Sequence, residues 1–126
     1  METYAALAAG GICGAVLRYW LVLDLLRRTG PDFPYGILTA NLIGSFLIAF
    51  LSAWQTDWLA EHPGWRLFFI VGLLGSFTTF STFSLDLLSF FRTDRVTMGV
   101  VYALASVIGG VLLAWLGWTA GLALRR

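Results

Sequence analysis

Residues 75–84 read Gly75-Ser76-Phe77-Thr78-Thr79-Phe80-Ser81-Thr82-Phe83-Ser84, a run of hydroxyls and phenyl rings inside the otherwise apolar segment Trp65 to Phe91. The segment is long enough to cross a bilayer, which takes about 20 mostly apolar residues. Its middle nonetheless carries six hydroxyls in nine positions, from Ser76 to Ser84. Polar side chains at that depth are tolerated where they face protein, a second subunit or a hydrated path rather than lipid. The spacing is three, with Phe77, Phe80 and Phe83 on one line and Thr79 and Thr82 on another, so a helix here offers an aromatic ridge beside hydroxyl rows. A Gly-Ser pair is a recognised place for a helix to kink. Unwinding at Gly75 frees backbone carbonyls in mid-membrane, where broken helices coordinate ions. The alternative is that the rings meet lipid and the hydroxyls bond back to carbonyls one turn earlier. The density of hydroxyls favours the lining of a permeation path.

Working outward, the whole chain has 126 residues, 59% hydrophobic and 12% charged, with a mean hydropathy of +0.82. That predicts an all-α membrane protein, multi-pass in a cell membrane (plasma or inner), with no room for a soluble catalytic domain. One transmembrane domain over 1–126 is expected, with helices at about 3–26, 35–54, 66–91 and 97–124 and a break in the third. The formal charge of +1 and the absence of any basic run longer than two argue against a nucleic-acid partner. Cys13 is the only cysteine, so no internal disulfide forms, and its apolar neighbours predict a small buried side chain. Glu2 stands where a signal peptide would be basic, so the first helix is read as retained.

A few polar residues interrupt the other helices. Arg18 lies roughly two turns inside the end of helix 1, where it either snorkels to the loop or meets an anion at the mouth of a path. Asn41 in helix 2 either bonds a neighbouring helix or turns its NH2 to a permeating anion. Tyr102 and Ser106 in helix 4 are four apart and share a face, extending a hydroxyl track unless Tyr102 is an interface aromatic. Gly117-x-x-x-Gly121 fits a close helix contact. Asp86 is the deepest acid, with capping, pairing with Arg18 or Arg92, and proton handling all open. The segment Gln55 to Gly64, with Asp57, Glu61, His62 and Pro63, reads as a solvated connection and not a metal site. No nucleophile with a base and no metal-ligand cluster is visible, so no enzyme is expected.

With four spans, Arg66, Arg125 and Arg126 flank one side and Arg27, Arg28, Arg92 and Arg95 the other, so the positive-inside bias nearly cancels. Four helices alone have little interior for Asn41 and the hydroxyl run. An antiparallel, dual-topology homodimer is the expectation.

The run from Gly75 to Ser84 closely resembles the signature of the Fluc (CrcB) fluoride channels, and the likeness extends through Gly14-x-x-x-Arg18, Asn41-x-x-Gly44 and Tyr102-x-x-x-Ser106 to essentially the whole chain. The resemblance implies a fluoride-selective channel that exports F⁻ passively and so confers fluoride resistance, with two pores per antiparallel dimer. It implies a pore lined by Asn41, Phe80, Phe83, Ser81, Thr82, Tyr102 and Ser106, with Arg18 near a vestibule. It also implies a structural Na⁺ at the dimer centre on the Gly75 and Thr78 carbonyls. Ser76 replaces a glycine common in the family, and Asp86 stands where glutamate is usual. The chemistry agrees, because Asn NH2 and hydroxyl groups donate to a small hydrated anion and phenyl edges carry the positive end of the ring quadrupole. The nearest rival is a small proton-coupled multidrug exporter, which needs a membrane-embedded acid and has only Asp86 to offer. A second rival is a non-conducting assembly subunit.

Overall fold

The computed structural model describes residues 2–54 and 56–125. Gln55, the expected start of the middle connection, and Arg126, one of the flanking arginines, lie outside them. Four helices are long and apolar enough to cross a membrane, Glu2–Thr29, Tyr35–Trp54, Pro63–Arg92 and Val96–Leu124, and no strand occurs among the described residues.

α1 (Glu2–Thr29) runs a turn beyond the expected end near Leu26. Its terminator is Gly30 at φ +79°, whose N–H donates to the Leu26 carbonyl at 2.9 Å. This is the left-handed helix end that glycine favours. Arg27 and Arg28 occupy the last turn, where the helix carbonyls favour cations. After the Pro31 and Pro34 connection, α2 (Tyr35–Trp54) returns across the membrane.

The middle connection is more helical than its composition suggests. It contains α3 (Thr56–Glu61), with Asp57 in its first turn, and then α4 (Pro63–Arg66), where Pro63 takes a first-turn position that needs no N–H. The third span continues as a π-helical segment, Leu67–Leu74, and then α5 (Gly75–Phe77). Gly75 is itself helical, at φ −63° and ψ −33°. The extended backbone falls later, at Thr78 and Thr79, before α6 (Phe80–Arg92). α6 closes on Asp94 at φ +57°, with the Arg95 N–H on the Phe90 carbonyl at 2.9 Å. α7 (Val96–Leu124) is the fourth span.

Glycines set the tightest helix contacts. A Cβ at Gly10 would run into the Phe68 carbonyl oxygen, and one at Gly14 into that of Leu73. With only hydrogen there, α1 lies against the third span closely enough for Cα–H to carbonyl contacts. On the other side Gly117 meets the Phe46 carbonyl, and a Cβ at Gly121 would be 2.6 Å from that of Phe50. The Gly117-x-x-x-Gly121 pair is thus the close contact its spacing predicted.

Two polar ties show which ends lie together. Arg125 pairs with Asp57 at 2.6 Å, joining the carboxyl-terminal end to the middle connection. Arg95 donates to the Asp32 carbonyl at 2.6 Å, joining the first and third connections. The core gathers around Tyr102, with Ile37, Phe83 and Phe90. Most other apolar side chains face outward, and so does Cys13. Its burial was wrongly expected, because the inner face of α1 is taken by Gly10 and Gly14.

Candidate functional site

The two extended residues are held by a side chain 38 positions earlier in the chain. The Thr79 N–H donates to Asn41 Oδ1 at 2.8 Å, and Asn41 Nδ2 donates to the Thr79 carbonyl at 3.1 Å. The pairing fixes which way the carboxamide points. An amide nitrogen carries two N–H donors, and this clamp uses one. One turn along α2, Gly44 makes room for the Thr78 methyl, which a Cβ would strike. Ser45 donates back to the Asn41 carbonyl at 2.7 Å.

Thr79 then caps the helix that follows. Its Oγ1 accepts from the Thr82 N–H at 3.3 Å, donates to Thr82 Oγ1 at 3.1 Å, and lies 3.3 Å from Ser81 Oγ. Threonine at an N-cap satisfies one of the orphan amides of a helix start. Sequence reasoning missed this role, although Thr79-x-x-Thr82 has the spacing of an N-cap and its N3 residue. Thr78 and Ser84 instead follow the alternative of bonding back one turn, to the Leu74 and Phe80 carbonyls at 2.9 Å each.

Beside the interruption lies an open cavity of about 310 Å³, lined by Asn41, Gly75, Thr78, Phe80, Phe83 and Ser106 among others. The structure therefore brings together six residues singled out in the sequence. The Ser106 hydroxyl is buried with no hydrogen-bond partner among the described residues. Burying a hydroxyl unpaired costs roughly 1–3 kcal/mol, so a site that keeps one invites a polar occupant. The three phenylalanines do not share a line. Phe77 and Phe83 are buried, whereas Phe80 is 79% exposed. Extended residues advance about 3.3 Å each without the 100° turn of a helix, so Thr78 and Thr79 put Phe80 out of register with Phe77. The Phe80 and Phe83 rings remain neighbours, with centroids 5.7 Å apart.

Thr82 faces a second cavity of about 440 Å³, with Asp86, Ser89, Phe90 and Arg95 in its wall. Tyr102 lies between the two, wholly buried, its ring 5.1 Å from Phe83 and its hydroxyl donating to Asp86 Oδ2 at 3.3 Å. It is not an interface aromatic. Asp86 forms no ion pair with Arg18 or Arg92 among the described residues; the tyrosine hydroxyl is its partner. Arg18 lines neither cavity. It is half-buried on α1, one turn past Gly14, and the contacts of Gly10 and Gly14 put that turn level with the extended residues.

No group of three or more His, Cys, Asp or Glu side chains occurs among the described residues, so a cation would have to use other oxygens. Gly75 and Thr78 suit that role. The amides four residues on, those of Thr79 and Thr82, donate to Asn41 Oδ1 and Thr79 Oγ1 instead of to these carbonyls.

Four spans, an interruption clamped from a neighbouring helix, and a phenyl- and hydroxyl-lined groove define a small multi-pass membrane protein. Residues 5–118 match the family model described as CrcB-like protein, Camphor Resistance (CrcB). The chain belongs to this family. Over its full length it is 44% identical to a protein of Rhizobium meliloti (strain 1021) and 40% identical to one of Agrobacterium fabrum (strain C58 / ATCC 33970), covering 98% of each. A protein of Aquifex aeolicus (strain VF5) is 38% identical over 96% of this chain and 98% of its own. All three are named "Fluoride-specific ion channel FluC", a channel and not an enzyme.

Proposed function

We propose that the chain is a fluoride-selective channel that lets F⁻ leave the cell passively, assembled as an antiparallel homodimer with two pores. The observation that carries the reading is the groove in which the Ser106 hydroxyl, the Asn41 amide and the Phe80 and Phe83 rings converge beside the interrupted helix. Fluoride crosses by exchanging water for these donors. The second Asn41 N–H and the Ser106 O–H donate to it, and phenyl edges favour it without the grip of a fixed cation. Weak successive sites let an ion leave as readily as it enters. Ser81 and Thr82 extend the donor track towards the cavity that holds Asp86, Tyr102 backs it with its own O–H engaged by Asp86, and Arg18 serves the vestibule. The strong outward exposure of Phe80 fits a residue completed by a second copy.

The same dimer places the Gly75 and Thr78 carbonyls of both copies about one Na⁺. When bound, that ion supplies positive charge that offsets the cost of an anion in low dielectric. Proton-coupled export is not favoured, because the one deep acid is occupied by Tyr102 and the groove does not contain it.

The test is fluoride efflux from liposomes holding the purified protein, with chloride in parallel and Phe80→Ile as control. Selective fluoride flux that the substitution abolishes is expected. A folded dimer that passes no fluoride in sodium buffer overturns the reading.

A further inference from the structure

A helix carbonyl is normally taken by the amide four residues on, so it is available to an ion where that bond is not made, and an amide held elsewhere keeps it unmade. At the interruption of the third span two such amides are taken by side chains, and Thr79 is involved both times. The Thr79 N–H, the natural partner of the Gly75 carbonyl, goes to Asn41 Oδ1 at 2.8 Å. The Thr82 N–H, the natural partner of the Thr78 carbonyl, goes to Thr79 Oγ1 at 3.3 Å. We propose that Asn41 and Thr79 form a positioning pair that keeps the Gly75 and Thr78 carbonyls free for a monovalent cation, and so couples the groove residue Asn41 to the cation site. The inference rests on the sodium part of the function proposed above.

The coupling follows from geometry. Asn41 presents its oxygen to the Thr79 amide and its nitrogen to the Thr79 carbonyl, so both ends of the extended residue are satisfied by one side chain. Without it, the Thr79 N–H has the Gly75 carbonyl as its nearest helical alternative, and the third span closes by one hydrogen bond. Without the Thr79 hydroxyl, the start of α6 loses its cap, and the Thr82 N–H has the Thr78 carbonyl as its helical alternative once Thr79 itself turns from extended to helical. Neither Asn41 nor the Thr79 side chain has to touch the cation. Each acts through an amide it holds.

Sodium affinity of the full-length protein in detergent micelles, read by ²³Na relaxation with N-methylglucamine as the replacing cation, tests this directly. Asn41→Ala and Thr79→Val are expected to weaken sodium binding about tenfold, roughly one carbonyl's hydrogen bond, while Thr79→Ser, which keeps the oxygen, stays within about twofold of the parent. Folded Asn41→Ala and Thr79→Val proteins that bind sodium like the parent would overturn the pairing while leaving the channel reading intact. A parent protein that binds no sodium defeats both this inference and the sodium part of the proposed function, and fluoride flux then decides the rest separately. Should the variants not fold, isotope-edited infrared spectroscopy of the parent labelled at the Gly75 carbonyl gives the answer. A frequency typical of an unbonded carbonyl that falls on adding sodium supports the proposal, and a helix-bonded frequency unmoved by sodium overturns it.

Discussion

Ser106 and Tyr102 stand one turn apart on α7 and do opposite things with their hydroxyls. The Tyr102 O–H has a partner in Asp86, whereas the Ser106 O–H is buried with none among the described residues. Removing a hydrogen-bonded polar group from a membrane protein costs about 0.6 kcal/mol on average, but removing an unpaired buried one costs little and relieves desolvation. Ser106→Ala is therefore expected to leave unfolding in mixed micelles unchanged or slightly raised, while lowering fluoride efflux from liposomes. A variant that loses stability and keeps full flux would make Ser106 a packing residue. Asn41 follows one of the two readings its sequence position offered. Its amide bonds the neighbouring third span, and the clamp leaves its second N–H unused.

At the scale of the helix, the third span is governed by what leans on it. Gly14 and Gly75 look equally dispensable in a sequence and differ sharply in place. A Cβ at Gly14 meets the Leu73 backbone, which has no rotamer to give, whereas at Gly75 the nearest atom is 3.9 Å away and the backbone is ordinary α-helix. Overpacking costs about 1–3 kcal/mol, so Gly14→Ala should destabilise the fold by that order, and Gly75→Ala, which meets nothing closer than ordinary contact within its own copy, should cost the fold of the single copy less. Unfolding of both variants in mixed micelles checks the ranking. The sequence showed the spans, the polar groups at depth and the glycine contact on α7, because hydropathy and small-residue spacing are local signals. It misplaced the opening, reading Gly75 where the extended residues are Thr78 and Thr79, because the deciding partner is Asn41 on another helix. It held no sign of the π-helical turns over Leu67–Leu74, the segment whose backbone lies against Gly10 and Gly14 of α1.

For the whole molecule, the polar ties join the middle connection to the carboxyl-terminal end and the first connection to the third, as an even number of crossings requires. The arginines flanking the two sides number three and four, almost no bias. A reporter fused to the carboxyl terminus is accordingly expected on both sides of the membrane, and adding two arginines to one side should collapse it to a single orientation. A strict single orientation of the parent protein would count against the antiparallel dimer. The glycine contacts carry a further consequence, for the order of synthesis. The first span finds its close partner in the third, through Gly10 and Gly14, and the second finds its own in the fourth, through Gly117 and Gly121. A chain emerging from the ribosome thus releases two helices, one after the other, that touch each other at Gly36 and Val22 but still lack the glycine-lined partners that arrive later. Neither pair can close until a later helix arrives, so the molecule is completed only near the end of its translation.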